Sequence, residues 1–229
     1  MSNRTILVLG AGPGIGRNVT SLFASKRYNN VVLIARRADS LEVEKKAVEE
    51  AVGSRVTVKT YAVDTTNTED LLGALDDADA AFGKPEVVFY NAARVLPSEL
   101  FAHPVEDIEY DLRINVSALY TISQRYIPHL VELAKVDVWS RPALIVTSSG
   151  LPQNPVPQLF ALSLAKAAQR NLVQSLSLTY TPEGVHVGVI NVTGPVTPED
   201  KIRNPSNIAR KTWEWFEGAR WKPSFEVEI

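Results

Sequence analysis

The stretch LGAGPGIGR (9–17) decides how the rest of the chain is read. It follows the apolar run TILVL (5–9) and leads into an amphipathic stretch, 15–26. Gly10, Gly14 and Gly16 keep a G-x-x-x-G-x-G spacing, and Gly12 lies between them. Glycines in a strand-to-helix turn permit positive φ and let the backbone come close to a ligand. With Ile15 in its first turn, the following helix would aim free N–H groups and a partial positive charge at a pyrophosphate. A tight turn with no ligand is the alternative, but the placement after a first strand favours a dinucleotide.

Outward from this turn, short apolar runs alternate with amphipathic ones. Runs at 31–35, 56–63, 86–90, 143–148 and 186–191 are rich in Val and Ile and read as further strands. Most are apolar throughout, as in a parallel sheet covered on both faces. Helices are expected over 15–26, 40–52, 68–80, 105–135, 159–179 and 206–218. The closing FEVEI alternates like an added edge strand. The rhythm predicts a doubly wound, Rossmann-like parallel sheet of about seven strands in a three-layer α/β/α arrangement. The 229 residues suit one domain, 1–229, with 45% hydrophobic residues. Prolines cluster in LPQNPVPQ (151–158) and GPVTPEDKIRNP (194–205), both after strands. That is the end of an open α/β sheet where ligands bind.

The bulk numbers exclude several functions. The formal net charge is −2, so no basic face calls for nucleic acid. There are no cysteines, hence no disulfide, thiolate metal site or cysteine nucleophile. No apolar run reaches the roughly 20 residues of a membrane span. The amino-terminal residues enter a strand with no room for a signal peptide. A cytoplasmic protein, free of membrane and nucleic acid, is expected.

The end of the second strand reads IARRADS, with Arg36 and Arg37 and no carboxylate before Asp39. An acidic residue there would hold a ribose 2′-OH. A guanidinium pair instead suits a 2′-phosphate, so NADP(H) is expected over NAD(H). Two solvated surface arginines are the alternative. Asp64 could accept a hydrogen bond from an adenine amino group, or it or Thr65 could simply cap a helix.

These motifs together resemble the short-chain dehydrogenase/reductase family over nearly the full length. Asn91 falls in YNAA (90–93), Asn115 in RINVSALY, Ser149 in VTSSG, and Gly194 in TG after the sixth strand. The resemblance implies catalytic parts for Ser149, Lys166 and Asn115. Serine would hold the substrate carbonyl, lysine would bind the nicotinamide ribose, and asparagine would support a water-linked proton path. It implies cofactor contacts for Gly10, Gly14, Ile15, Gly16, Arg36, Arg37, Asp64, Asn91, Lys166 and Gly194. The family's Y-x-x-x-K, however, reads Leu162-Ser163-Leu164-Ala165-Lys166. Leucine has no proton to give. Water ordered by Ser149 and Lys166 is one substitute; Tyr90 and His103 are weaker ones, the first expected to pack at a strand end and the second to start a helix.

Three functions follow: an NADP(H)-dependent oxidoreductase with a substitute proton source, a non-redox NADP(H)-binding scaffold or sensor, and a repurposed pocket for cyclisation, isomerisation or dehydration. The connector after the sixth strand is short and proline-rich, which implies an open site. Helices 105–135 and 159–179 are longer than one sheet face requires, so a homodimer or homotetramer is expected. TWEWFEGARW (212–221) supplies three tryptophans as core or interface anchors.

Overall fold

The computed structural model describes residues 4–229. Seven strands form one parallel sheet: β1 (Thr5–Leu9), β2 (Asn30–Ala35), β3 (Thr57–Ala62), β4 (Val87–Tyr90), β5 (Ala143–Ser149), β6 (His186–Val192) and β7 (Glu226–Glu228). Their order is β3-β2-β1-β4-β5-β6-β7, and every neighbouring pair is parallel. The chain reverses direction across the sheet between β1 and β4. The strands' carboxyl ends diverge there and leave a crevice.

The apolar strands bury both faces, and alternate residues separate them. Ile6 and Val8, Val31 and Leu33, Val87 and Phe89, and Ala143 and Ile145 face α1 (Ile15–Lys26), α2 (Ala38–Val52) and α7 (Pro205–Gly218). Leu7 and Leu9, Val32 and Ile34, Val88 and Tyr90, and Leu144 and Val146 face α3 (Thr68–Phe82), α5 (Ala118–Val136) and α6 (Phe160–Tyr180). Of the three expected tryptophan anchors, Trp213 is buried edge-on against Phe23 and Trp215 packs on His186, but Trp221 is exposed.

Asn67 caps α3 by accepting from Asp70 N, and Asn204 caps α7 from Asn207 N with Pro205 in the first turn. No side chain caps α1, whose first residue follows Gly14. The expected single helix over 105–135 is interrupted. It comprises α4 (Val105–Leu112), a π turn at Arg113–Ser117, and α5, with Ala118 N bonding Arg113 O five residues back. A π turn leaves backbone carbonyls in need of other donors, and such turns recur at functional sites. Among the described residues, no helix is long and apolar enough to cross a membrane.

Candidate active site

The glycine turn lies at the crevice between β1 and β4. Gly10 has φ +82, and a Cβ there would come within 2.4 Å of Ala92 N. It is glycine because β1 and β4 converge on it. A Cβ on Gly16 would meet Gly10 O at 3.0 Å. At Gly12 and Gly14 the opposite holds: nothing lies within 4 Å of where a Cβ would stand. The turn is packed from behind and open in front, beside a helix start that no side chain caps. This is the cradle a diphosphate needs.

A cleft of about 270 Å³ opens in front of the turn. Gly10, Arg36, Arg37, Asp64, Asn91 and Ile114 contribute to its lining. Both arginines are exposed at the end of β2. Arg36 donates to Tyr110 Oη at 3.2 Å, and that hydroxyl donates to Asp64 Oδ2 at 2.7 Å. Thr66 donates to Asp64 Oδ1 through its N–H and its hydroxyl. Burial works against the Asp64 carboxylate, but the Thr66 N–H, the Tyr110 and Thr66 hydroxyls and nearby Arg36 hold its pKa below the usual range. Asp64 thus organises the turn after β3; the helix-capping role expected of it or Thr65 falls to Asn67.

Asn91 joins the glycine turn to β5. Its Nδ2 donates to Gly10 O at 2.9 Å, and its Oδ1 accepts from Thr147 Oγ1 at 2.8 Å. From Thr147 the polar chain continues inward. Lys166 Nζ donates to Thr147 O and to Gln169 Oε1, both at 2.9 Å. Gln169 Nε2 donates to Asn115 O at 3.1 Å, and Asn115 Nδ2 donates to Asp111 O at 2.9 Å. Lys166 is 6% exposed, and Gln169 and Asn115 are fully buried. Burial pushes the Lys166 amine down to about 7. Both of its named partners are neutral.

The structure brings Ser149, Lys166 and Asn115 to one end of the sheet, at the end of β5, on α6 and in the π turn. Ser149 Oγ accepts from Leu151 N at 3.3 Å, which leaves its own proton free to donate. Leu162 lies one turn before Lys166 on α6 and is 5% exposed. Ser163, beside it, is spent on Leu159 O. Tyr90 donates to Ile114 O in the π turn and is fully buried, which raises its pKa. It serves the fold and has no proton to spare. His103 packs edge-on against Phe160 beneath the start of α4. Gly194 is not in the cleft lining; it lies under the Arg203 guanidinium, which a Cβ would strike at 2.2 Å.

Sequence reading missed Gln169 and the π turn. The available signal was Asn115 between Ile114 and Val116, a polar group in an apolar helix that needed a buried partner. A second cavity, about 310 Å³, lies at the opposite end of the sheet, lined in part by Arg141, His186, Phe216 and Arg220. It holds none of the motif residues.

A glycine turn at the reversal point of a parallel 3-2-1-4-5-6-7 sheet defines a Rossmann-like α/β protein. The family model for short chain dehydrogenases matches residues 4–206, and the chain belongs to that family of oxidoreductases. Among curated proteins it is 29% identical over 136 residues to human 17-beta-hydroxysteroid dehydrogenase 13, covering 58% of this chain and 43% of that protein. The match thus spans less than half of the human relative. It is 26% identical over 197 residues to glucose 1-dehydrogenase of Gluconobacter oxydans, covering 86% and 71%. A solved alcohol dehydrogenase from Thermococcus sibiricus, complexed with 5-hydroxy-NADP, superposes with TM-score 0.85 at 19% identity over 100% of this chain and 96% of that one. An NADPH-bound short chain oxidoreductase from Pseudomonas aeruginosa, described as containing an atypical catalytic center, gives 0.82 at 19% identity over 99% and 95%.

Proposed function

We propose that this protein is an NADP(H)-dependent oxidoreductase that interconverts a carbonyl and an alcohol, with Lys166 as the proton source where the family pattern has a tyrosine and this chain has Leu162. The observation that carries this reading is Lys166 itself, a buried amine whose two acceptors are uncharged. An ammonium in that setting is costly. At a pKa of about 7 it is an acid suited to neutral pH.

The residues of the cleft fit the cofactor. The open face of Gly12 and Gly14 admits the diphosphate, and Arg36 and Arg37 meet the 2′-phosphate. NADPH, when bound, supplies a hydride. The chain's part is to orient the carbonyl and supply the proton. Ser149 donates to the carbonyl oxygen. Lys166 has spent two of its three N–H protons on Thr147 and Gln169 and gives the third to the same oxygen, leaving a neutral amine. The dehydrogenase names of the relatives, and the NADP-type cofactors in two structural neighbours, support this assignment. Incubation with 4-deuterated NADPH and a panel of aldehydes and ketones tests it. Deuterium in the alcohol product is expected.

A second reading, a non-redox NADP(H)-binding protein, is favoured by one observation: Leu162 is apolar and buried. NADPH binding without label transfer to any carbonyl would establish it in place of the first. We also infer a homodimer or homotetramer. Leu164 and Leu178 on α6 and Tyr120 on α5 are at least half exposed. Sedimentation equilibrium giving a monomer would overturn that assembly.

A further inference from the structure

Gln169 belongs to none of the motifs, yet it is fully buried and makes the bond that joins the two halves of the site. It lies three residues after Lys166 on α6, so both side chains share a helix face. Its carboxamide is oriented by its neighbours. The oxygen faces the Lys166 amine at 2.9 Å, and the nitrogen donates to Asn115 O at 3.1 Å and approaches Asn115 Oδ1 at 3.4 Å. Neither end can be reversed. Turning the amide over would set its N–H₂ against the lysine donor and its oxygen against the carbonyl of Asn115.

The π turn makes this possible. Its irregular hydrogen bonding leaves Ile114 O to Tyr90 Oη and Asn115 O to Gln169 Nε2. Several charged groups on the elements around α6 are engaged elsewhere, and Glu106 and Glu109 of α4 and Glu132 of α5 are exposed. Asp111 of α4 holds Arg94 at 2.7 Å, Arg113 of the π turn stacks near Tyr110, and Arg125 of α5 pairs with Asp76 and Asp79. Arg170 of α6 pairs with Glu226, and His186 of β6 bonds at the far end of its strand to Ser224 O.

We propose that Gln169 is the positioning residue of the site: its amide fixes the Lys166 amine with an uncharged acceptor and ties it to the backbone of the π turn. This rests on the reading of Lys166 as the acid, and it adds what sets that acid. A carboxylate at 169 would hold lysine permanently charged. An apolar residue would leave the amine loose and Asn115 O without its donor. The amide keeps the amine fixed and stabilises its charge far less than a carboxylate would, so the lysine can both hold and release a proton near neutral pH.

The test follows Lys166 directly, by NMR titration of its ¹³Cε signal in the cofactor-free protein, assigned by its loss in Lys166→Met. Gln169→Glu is expected to raise the Lys166 midpoint by about one unit or more, as an opposite charge in contact does. Gln169→Leu is expected to lower it. NADPH affinity, measured by calorimetry on the same variants, is expected to stay near the wild-type value, because the Lys166 protons go to Thr147, Gln169 and the substrate oxygen. A midpoint that stays at its wild-type value in both folded variants overturns the proposal. Loss of fold in both makes Gln169 purely structural and overturns it as well. Failure of the wild type to bind NADPH, with the midpoint still moving in the variants, refutes the proposed function and leaves the positioning role of Gln169 intact.

Discussion

The two ends of the sheet treat buried charge in opposite ways. At the amino ends of the strands, the carboxylate of Glu86, just before β4, is 5% exposed and heavily matched. It accepts from the Arg4 guanidinium, from Arg27 Nε at 2.8 Å, from Tyr28 Oη at 3.0 Å and from Arg141 N at 3.2 Å. At the carboxyl ends, Lys166 is as deeply buried but is bonded to a backbone carbonyl and an amide. Two guanidinium groups at the first site face one carboxylate; at the second, no carboxylate bonds the amine. A charge with a countercharge holds a fold together, whereas one bonded only to neutral groups is free to titrate. Under the function proposed above, the same architecture separates a structural end from a chemical one.

Breaking the structural end has the largest expected effect. Glu86→Leu takes the shared acceptor from Arg27 and from the buried Tyr28 hydroxyl, and urea denaturation is expected to show a loss of about 3–5 kcal/mol. Lys166→Met tests the chemical end by its pH dependence. The folded-state pKa, about 7, is below the ordinary 10.5, so the unfolded chain binds more protons between those values. The burial cost is therefore fully present below pH 7 and is relieved as pH rises toward 10.5. The stability of the wild type relative to Lys166→Met should rise by about 2–3 kcal/mol between pH 7 and pH 9, each unit being worth about 1.4 kcal/mol. A flat difference would mean that the lysine is solvated. Leu162→Tyr sharpens the contrast by returning a dedicated acid to the chemical end. Its kcat/KM for carbonyl reduction is expected to rise about tenfold, the low side of what a positioned acid contributes. No gain in a folded, NADPH-binding variant would contradict the placement of Leu162 beside the reacting atoms.

The fold was legible because its signals are local and repeated. Five strands apolar on both faces, helices between them and one glycine turn leave few arrangements other than the one observed. Strand boundaries matched to within a residue or two, and even the short β7 was visible in the alternation of FEVEI. Of the candidate site, the motifs marked Ser149, Lys166 and Asn115, and the structure places these three at one end of the sheet. What sequence could not give was the connection between them. Gln169 reads as one more polar residue on a helix, and its importance comes from a π turn some 50 residues earlier in the chain. That turn is an irregularity of hydrogen bonding that the periodicity of 105–135 does not reveal. Asp64 lines the cleft as expected of a cofactor contact, and what sequence did not show is that its oxygens also bond Thr66 and Tyr110.

On the proposed function, the cleft between β1 and β4 takes a dinucleotide whose 2′-phosphate meets Arg36 and Arg37. Calorimetric titration of the wild type and of the Arg36→Ala/Arg37→Ala double variant with NADPH and with NADH tests it most directly. NADPH is expected to bind the wild type at least about tenfold tighter than NADH, a margin of roughly 1.4 kcal/mol, and the double variant is expected to lose that preference while keeping its NADH affinity. Equal affinities in the wild type, or no binding of either nucleotide, would contradict the account.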